Sequence, residues 1–535
     1  MEAGTGTGKS VAYLLPAIRF ALENNEHVVI STNTINLQEQ LVGKDIPDLM
    51  HVLEVGKGLR VVQVKGRSNY LCRRRWEILR RSQWPSLDEI KLLVRTLIWL
   101  PLTSSGDRAE LNLFGGEGSA WGKICAQAEN CLGGQCPYQR EGNCFLYRAR
   151  RGAEGAHLIV VNHALLLSDM VSNNAVLPDY RYLIIDEAHH LEEGATEQLG
   201  FKVTEHDLAG YLNRHIGLLP QIDNCLRPSP AKPSSLREVR KLAESLQERV
   251  DGARERLLQF FDTLPHFLGR YTEEPGEYER CLRLTNGIRI QPGWRKVELA
   301  WDNLSLALMD IELGLAQIYT ILDGLSEAGI LDYQNLMIEL SSLIYRNSEL
   351  RSQVNSIISH PEGDAIYWAS IGGQNNIVTL CAAPVHVGGH LAKSLFSKKE
   401  CVVLTSATLS TEGNFDYIKE RLGLGDVREL LLGVPFDYIT STMIYIPQDI
   451  PEPDKPGYLQ ALKRDLEELC RATEGRTLVL FTSHAALRAA HAAIQTPLGE
   501  EGILVLGQGV DGAPKQLLNT FKATTKSVLM GTSSF

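Results

Sequence analysis

No run of about eighteen consecutive apolar residues occurs, the length a membrane-spanning helix needs, so nothing in the chain predicts a span. Nor does it open on a basic stretch followed by an apolar one. Met1 leads at once into a glycine-rich loop, and the expected compartment is the cytoplasm. Net positive charge is also missing: 54 Lys and Arg against 64 Asp and Glu leave −10. That balance excludes a uniformly basic coat for nucleic acid, although phosphate contacts need only a local basic track. Paired C-x2-C knuckles, the usual zinc signature, are absent from a chain with ten cysteines. There is no internal repeat and no long low-complexity segment.

What the chain has in quantity is short Val- and Ile-rich runs flanked by turn residues: 27–32, 60–65, 158–162, 182–186, 401–405, 477–482, 503–506 and 527–531. Such runs predict buried parallel strands, and helical spacing between several of them predicts an α/β sheet with crossover helices. Two regions depart from that pattern. Residues 66–155 are rich in Cys, Gly and Arg, with few strand signals. Residues 201–380 read as mostly helical: Leu236, Val239, Leu242, Leu246, Val250, Leu257 and Leu258 recur near a period of 3.6, and 297–325 repeats the pattern. A Pro-rich piece, 226–235, predicts a linker before the first of these helices.

Glu2–Ser10 reads E-A-G-T-G-T-G-K-S, a phosphate-binding loop followed by a helical pattern over 11–22. Its small residues Gly4, Thr5, Gly6, Thr7 and Gly8 let backbone N–H groups close on phosphate oxygens. Lys9 is expected to reach the β- and γ-phosphates and the Ser10 hydroxyl to ligate Mg²⁺, on the positive end of the following helix. Ala3 stands where the strict pattern has Gly. The partner segment is Y-L-I-I-D-E-A-H-H at 182–190, an apolar strand ending in acids. Asp186 is expected to hold Mg²⁺ through water, and Glu187 to polarise the attacking water as general base. Together the two motifs predict ATP hydrolysis.

Five cysteines, Cys72, Cys125, Cys131, Cys136 and Cys144, fall between residues 72 and 144. Thiolates in fours hold either Zn²⁺ or an Fe–S cluster. Spacing alone does not choose, though the missing knuckles lean towards Fe–S. Basic runs flank them: Arg73, Arg74, Arg75, Arg80 and Arg81 on one side, Arg148, Arg150 and Arg151 on the other. These are either solvated helix faces or phosphate contacts. The other five cysteines are scattered and read as buried structural thiols.

The box Asp186-Glu187-Ala188-His189 resembles the DEAH box of superfamily 2 helicases, and further motifs follow in that family's order. V-V-I-S-T-N-T-I-N-L-Q-E-Q-L at 28–41 resembles motif Ia, and Thr405-Ser406-Ala407-Thr408-Leu409 motif III. Ser406 and Thr408 there can bond either the box or a phosphate. Residues 477–484 resemble motif IV, and 528–535 the start of motif V. K-G-R-S-N-Y-L-C at 65–72, V-V-N-H-A-L-L-L-S-D at 160–169 and G-Q-G-V-D-G at 507–512 are similar to segments of the DinG family, relatives of the XPD helicases. The resemblance is strongest over 1–200 and 380–535.

The resemblance implies a DNA helicase that couples ATP hydrolysis to 5′-to-3′ movement on single-stranded and forked DNA, in repair or replication, with no membrane partner. It places His189 with Gly4–Ser10 and Asp186 in the nucleotide site. It implies a [4Fe–4S] cluster on Cys72, Cys131, Cys136 and Cys144, with Cys125 spare. It implies two RecA-like P-loop domains, an α/β fold. The first would comprise residues 1–65, an Fe–S insertion at 66–155, the DEAH part at 156–200, a helical arch at 201–380 and motif III at 381–430. The second would run over 431–535. The family's pattern continues past both ends of these residues, upstream to an adenine-contacting segment and downstream to an arginine for the γ-phosphate. Residues 1–535 alone are therefore expected to turn ATP over weakly. The competing expectation is a zinc-stabilised nucleic-acid-binding protein whose ATP site is a switch, separated from the first by iron and sulfide content and by unwinding.

Overall fold

The computed structural model describes residues 1–535 apart from 83–84, 114, 173–174, 228–232, 272–279, 327, 373–376, 454, 513 and 533–535. Half of the expected Pro-rich linker, 228–232, and the last three residues of the motif V segment lie outside the described residues. Chain contacts divide the protein into two units, Met1–Pro435 and Phe436–Phe535.

In the first unit the strands are β1 Val28–Thr32, β2 Val61–Gln63, β3 Leu158–Asn162, β4 Tyr182–Asp186, β5 Phe201–Thr204, β6 Arg280–Arg283, β7 Ala365–Gly372, β8 Ile377–Pro384 and β9 Cys401–Thr405. Five of them form a parallel sheet in the order β2-β3-β1-β4-β9. Alternate side chains feed two cores. Val29, Ile159 and Ile185 enter one layer, and Ile30, Val160 and Ile184 enter the other with Leu14 and Ile18 of the Lys9–Asn24 helix. Covering both faces explains why these strands read as unbroken apolar runs.

The edge beyond β9 is occupied by the start of the chain. Glu2 bridges Ser406 on one side and Leu431 on the other, with the Ala3 N–H donating to the Ser406 carbonyl (3.1 Å) and the Leu432 N–H to the Glu2 carbonyl (2.9 Å). The phosphate-binding loop therefore leaves the sheet beside the motif III strand.

Residues 201–380 are less helical than their pattern predicts. The helices Pro233–Leu268, Trp294–Asp323 and Tyr333–Ile358 pack together, with Phe260 and Trp301 rings 5.6 Å apart in their core. A four-stranded antiparallel sheet, β5-β8-β7-β6, belongs to the same core. β7 (A-I-Y-W-A-S-I-G) and β8 (I-V-T-L-C-A-A-P) mix small and apolar residues without clean alternation, which hides them from a period-2 reading. The Trp294–Asp323 helix also corrects the expectation of no span-like segment: by length and composition it is apolar enough to cross a membrane. Its apolar side, through Trp294, Val297, Trp301, Leu304, Leu308, Ile311, Leu315 and Ile318, is buried in the bundle core.

Residues 66–155 hold a small core of their own around Tyr70, Leu71, Leu92, Trp121, Ile124 and Phe145. Among the described residues they contribute helices and isolated bridges, Tyr70 to Asp107 and Leu71 to Cys125, with no longer strand.

The second unit is a parallel sheet of β10 Thr477–Phe481, β11 Leu504–Gly507 and β12 Ser527–Thr532, in the order β10-β12-β11. Val505, Val528 and Met530 pack against Leu466 and Cys470 of the Tyr458–Ala472 helix and Leu487 and Ile494 of the His484–Glu500 helix.

Candidate active site

The phosphate-binding loop turns on glycine. Gly6 (φ 79°) and Gly8 (φ 83°) take left-handed conformations that a side chain would strain, and a Cβ on Gly4 would collide with the Val434 side chain. Thr7 closes the loop by donating its hydroxyl to the Gly4 carbonyl (2.7 Å). Lys9 and Ser10 begin the following helix directly after Gly8, so the first turn's free N–H groups face the loop. Glu2 braces the loop from behind. Its carboxylate accepts the Leu409 and Ser410 N–H groups (2.5 Å each) and the Ser410 hydroxyl (3.0 Å). Burial pushes this carboxyl up, and those bonds outweigh it and hold it below its ordinary value.

β4 delivers Asp186 to the carboxyl end of the sheet, where open α/β sheets bind ligands. Tyr13, one turn along the loop's helix from Lys9, donates its hydroxyl to Asp186 Oδ2 (3.0 Å), and the Glu187 N–H donates to Oδ1 (3.0 Å). The Asp186 carboxyl lies above its usual range, first through burial and next through the neighbouring Glu187. Tyr13 and Lys9 pull it back. The Tyr13 phenol is pushed up by burial and by Asp186.

Glu187 follows in the left-handed region (φ 53°), a conformation that costs a non-glycine residue on the order of 1 kcal/mol. The turn separates its two oxygen-bearing ends. On the side-chain end, the Ser406 hydroxyl donates to Glu187 Oε2 (3.2 Å), and His189 Nδ1 lies 2.6 Å from Ser406 Oγ and 3.4 Å from the same Oε2. With its one proton on Glu187, Ser406 accepts from His189. Burial, and then His190, lowers the His189 imidazole. On the main-chain end, His163 Nε2 lies 3.4 Å from the Glu187 carbonyl, and His163 Nδ1 lies 2.8 Å from Ser31 Oγ at the end of β1. Burial pushes His163 down to about 4. Of the two sequence options for Ser406, the structure shows the bond to the box.

The cysteine-rich segment gathers its thiols around helix starts. Cys72, Cys136 and Cys144 immediately precede the helices Arg73–Arg80, Pro137–Arg140 and Phe145–Glu154. Burial raises the Cys144 thiol, the Tyr147 N–H bonds it, and the neighbours that raise it further are Cys72, Cys131 and Cys136. Cys72 is raised by burial and bonded by the Arg75 N–H. Cys72 and Cys144 are thus both bonded by backbone N–H groups, the kind of donor that stabilises a thiolate. Among the described residues, no group of three or more His, Cys, Asp or Glu side chains stands in a metal-holding arrangement. Cys125 pairs with Leu71 beside Cys72, its Sγ on the Gly122 carbonyl (3.6 Å) and its own carbonyl accepting from Arg75 (2.6 Å).

Several of the expected basic residues are engaged within the protein. Arg80 and Arg81 bond Glu77, while Arg73 and Arg148 lie over the Phe145 ring, each 4.9 Å from its centre. Arg150 keeps Nε and Nη2 without a partner. With Arg140, Arg148, Arg151 and Cys144 it lines a cavity of about 670 Å³.

Residues 135–208 match the family described as DEAD_2, and residues 466–535 the family described as Helicase C-terminal domain. A Mycobacterium tuberculosis (strain ATCC 25177 / H37Ra) protein named "ATP-dependent helicase DinG" is 32% identical over 555 residues, covering 100% of this chain and 75% of that protein. The chain belongs to the DinG family of ATP-dependent helicases. A Bacillus subtilis (strain 168) relative named "3'-5' exonuclease DinG" is 29% identical over 561 residues, and this chain spans 58% of that protein's length. An Escherichia coli (strain K12) relative named "ATP-dependent DNA helicase YoaA" is 29% identical over 543 residues, with 75% of its length spanned. A solved structure named "XPD_Helicase" matches 100% of this chain and 76% of its own at 14% identity and a TM-score of 0.43, a likeness too low to carry geometry.

In this DinG-family chain two site residues were not singled out by motif. Tyr13 is signalled by its place four residues after Lys9, on the same helix face. His163 lies inside the V-V-N-H segment, but its two partners come from β1 and from the turn after β4, so only the fold brings them together.

Proposed function

We propose that the chain is the ATP-hydrolysing core of a DNA helicase that moves 5′ to 3′ on single-stranded DNA and opens forked duplexes. The observation that carries this reading is the single cluster joining three motifs: Tyr13 on Asp186, and Ser406 on both Glu187 and His189. In it Gly4–Ser10 wrap the phosphates of MgATP, Lys9 neutralises the β- and γ-oxygens, and Ser10 and Asp186 face the substrate's Mg²⁺. Glu187 takes the proton of the attacking water, with its carboxylate aimed by Ser406. Because Ser406 follows directly on β9, a shift of the motif III strand moves the general base, and this makes hydrolysis responsive to the rest of the chain.

Cys72, Cys131, Cys136 and Cys144 would hold a [4Fe–4S] cluster, whose thiolate bonds cross-link a segment with a small apolar core. Arg148, Arg150 and Arg151 beside Cys144 would contact DNA phosphates.

ATP hydrolysis measured with and without single-stranded DNA, with Lys9→Ala as blank, tests the reading. DNA-stimulated turnover that vanishes in Lys9→Ala is expected. A chain that binds no DNA, or whose turnover survives in Lys9→Ala, refutes it.

A further inference from the structure

Glu187 is gripped at two ends, and motif III accounts for only one of them. Its carboxylate is held by Ser406 and His189, whereas its carbonyl meets His163, a residue of the V-V-N-H segment to which the nucleotide site assigns no task. We propose that His163 is a positioning residue that ties the end of β1, the motif Ia strand, to the backbone of the general base, so that a DNA strand bound beyond β1 and ATP bound at Glu187 sense each other through it. This rests on the helicase reading above.

The hydrogen-bond polarity follows from the partners. A carbonyl oxygen only accepts, so His163 Nε2 carries the proton that is given to Glu187. A neutral imidazole then has Nδ1 as acceptor, and the Ser31 hydroxyl donates to it (2.8 Å). The imidazole is therefore one link with a direction, Ser31 to His163 to Glu187. Its first two members are buried and held in place. Ser31 is fully buried within the paired length of β1, and His163 is 3% exposed on the first turn of the helix His163–Val171, whose start Asn162 caps through its side chain to the Leu165 N–H (3.0 Å). The far end is poised. Glu187 sits in a left-handed backbone conformation, so small changes in the pull on its carbonyl rotate the peptide that aims its carboxylate. One residue beyond Ser31, after Thr32 at the end of β1, the chain leaves the sheet through Asn33 and Thr34, with the Thr34 side chain capping the helix Ile35–Gln40 (Leu37 N–H to Oγ1, 3.3 Å). A phosphate drawn to that turn would load β1, and the imidazole carries the load across to β4.

The test is a coupling measurement that needs no turnover. The dissociation constant for a fluorescent single-stranded oligonucleotide is measured by anisotropy on the full chain, with and without a non-hydrolysable MgATP analogue. Reciprocal linkage makes the ratio of the two constants the coupling between the sites. Ser31→Ala, which removes one hydroxyl, and His163→Ala are both expected to cut the wild-type ratio about tenfold or bring it to unity, roughly one hydrogen bond's worth at 1.4 kcal/mol per decade. His163→Gln can still donate to a carbonyl and is expected to restore part of the ratio. Ser31→Ala keeps the test alive if His163→Ala fails to fold. A ratio unchanged in folded Ser31→Ala overturns the proposal, and so does a shift of both constants by the same factor, which is what a purely structural role would give. Wild-type protein that binds no DNA at all would instead refute the helicase reading.

Discussion

At the scale of single residues, the site is a set of charges kept in tune by neutral neighbours. Asp186 is buried and adjacent to Glu187, two influences that favour its protonated form, and the Tyr13 hydroxyl opposes them with a bond to Oδ2. Removing that hydroxyl with Tyr13→Phe therefore moves Asp186 further above its ordinary value. The expected result is an acid limb of the kcat/KM profile for MgATP displaced towards higher pH, with the loss larger at pH 6 than at pH 8. Superimposable profiles for the two proteins would show that Tyr13 does not tune Asp186. Glu187→Gln keeps the shape and loses the proposed base, so ATP should still bind while turnover falls by about 10²-fold or more. Equilibrium nucleotide binding beside steady-state hydrolysis reads the split.

At the scale of elements, the cysteine-rich segment shows how a small core depends on what its thiols bind. Its small apolar cluster includes Tyr70, Leu71, Trp121, Ile124 and Phe145, and Cys72 and Cys144 immediately precede two of the helices around it. A bound cluster would contribute folding energy that this core does not supply alone. Cys144→Ser is expected to abolish iron and acid-labile sulfide in anaerobically purified protein, whereas Cys125→Ser should retain both, since the Cys125 Sγ is engaged by the Gly122 carbonyl. Equal loss in both variants would put Cys125 among the ligands. Zinc in place of iron would favour the switch reading.

At the scale of the whole molecule, two buried histidines make the fold less stable in acid. His163 beside the nucleotide site and His215 in the helical segment, its Nδ1–H on the Tyr211 carbonyl (3.0 Å), both have folded values near 4 against 6.5 free. Below 6.5 the unfolded chain binds protons that the folded chain refuses, so stability rises with pH between about 4 and 6.5 and levels off above. Each residue should cost roughly 2 kcal/mol on going from pH 7.5 to pH 5. Thermal melts at the two pH values should show a drop that His215→Gln makes shallower. A melting temperature flat over that interval would contradict the burial of both rings.

What the sequence by itself determined is everything carried by local pattern. The Val- and Ile-rich runs became strands at or within a residue or two of their expected limits, because a strand buried on both faces must be apolar throughout. The loop before Lys9 declared its turns through glycines that only left-handed backbone requires. Tertiary structure decided the rest. Ser406 and Glu187 stand 219 positions apart and meet because β9 pairs with β4, a register that no short window contains. His163 could be read as an ordinary helix-start residue until the order β3-β1-β4 brought Ser31 and Glu187 to it. The antiparallel sheet beside the long helices escaped notice because small residues on both faces erase the alternation that marks a half-exposed strand. Local sterics and solvent exposure write themselves into neighbouring residues, whereas strand order and the contacts it creates are settled only when distant segments compete for the same core.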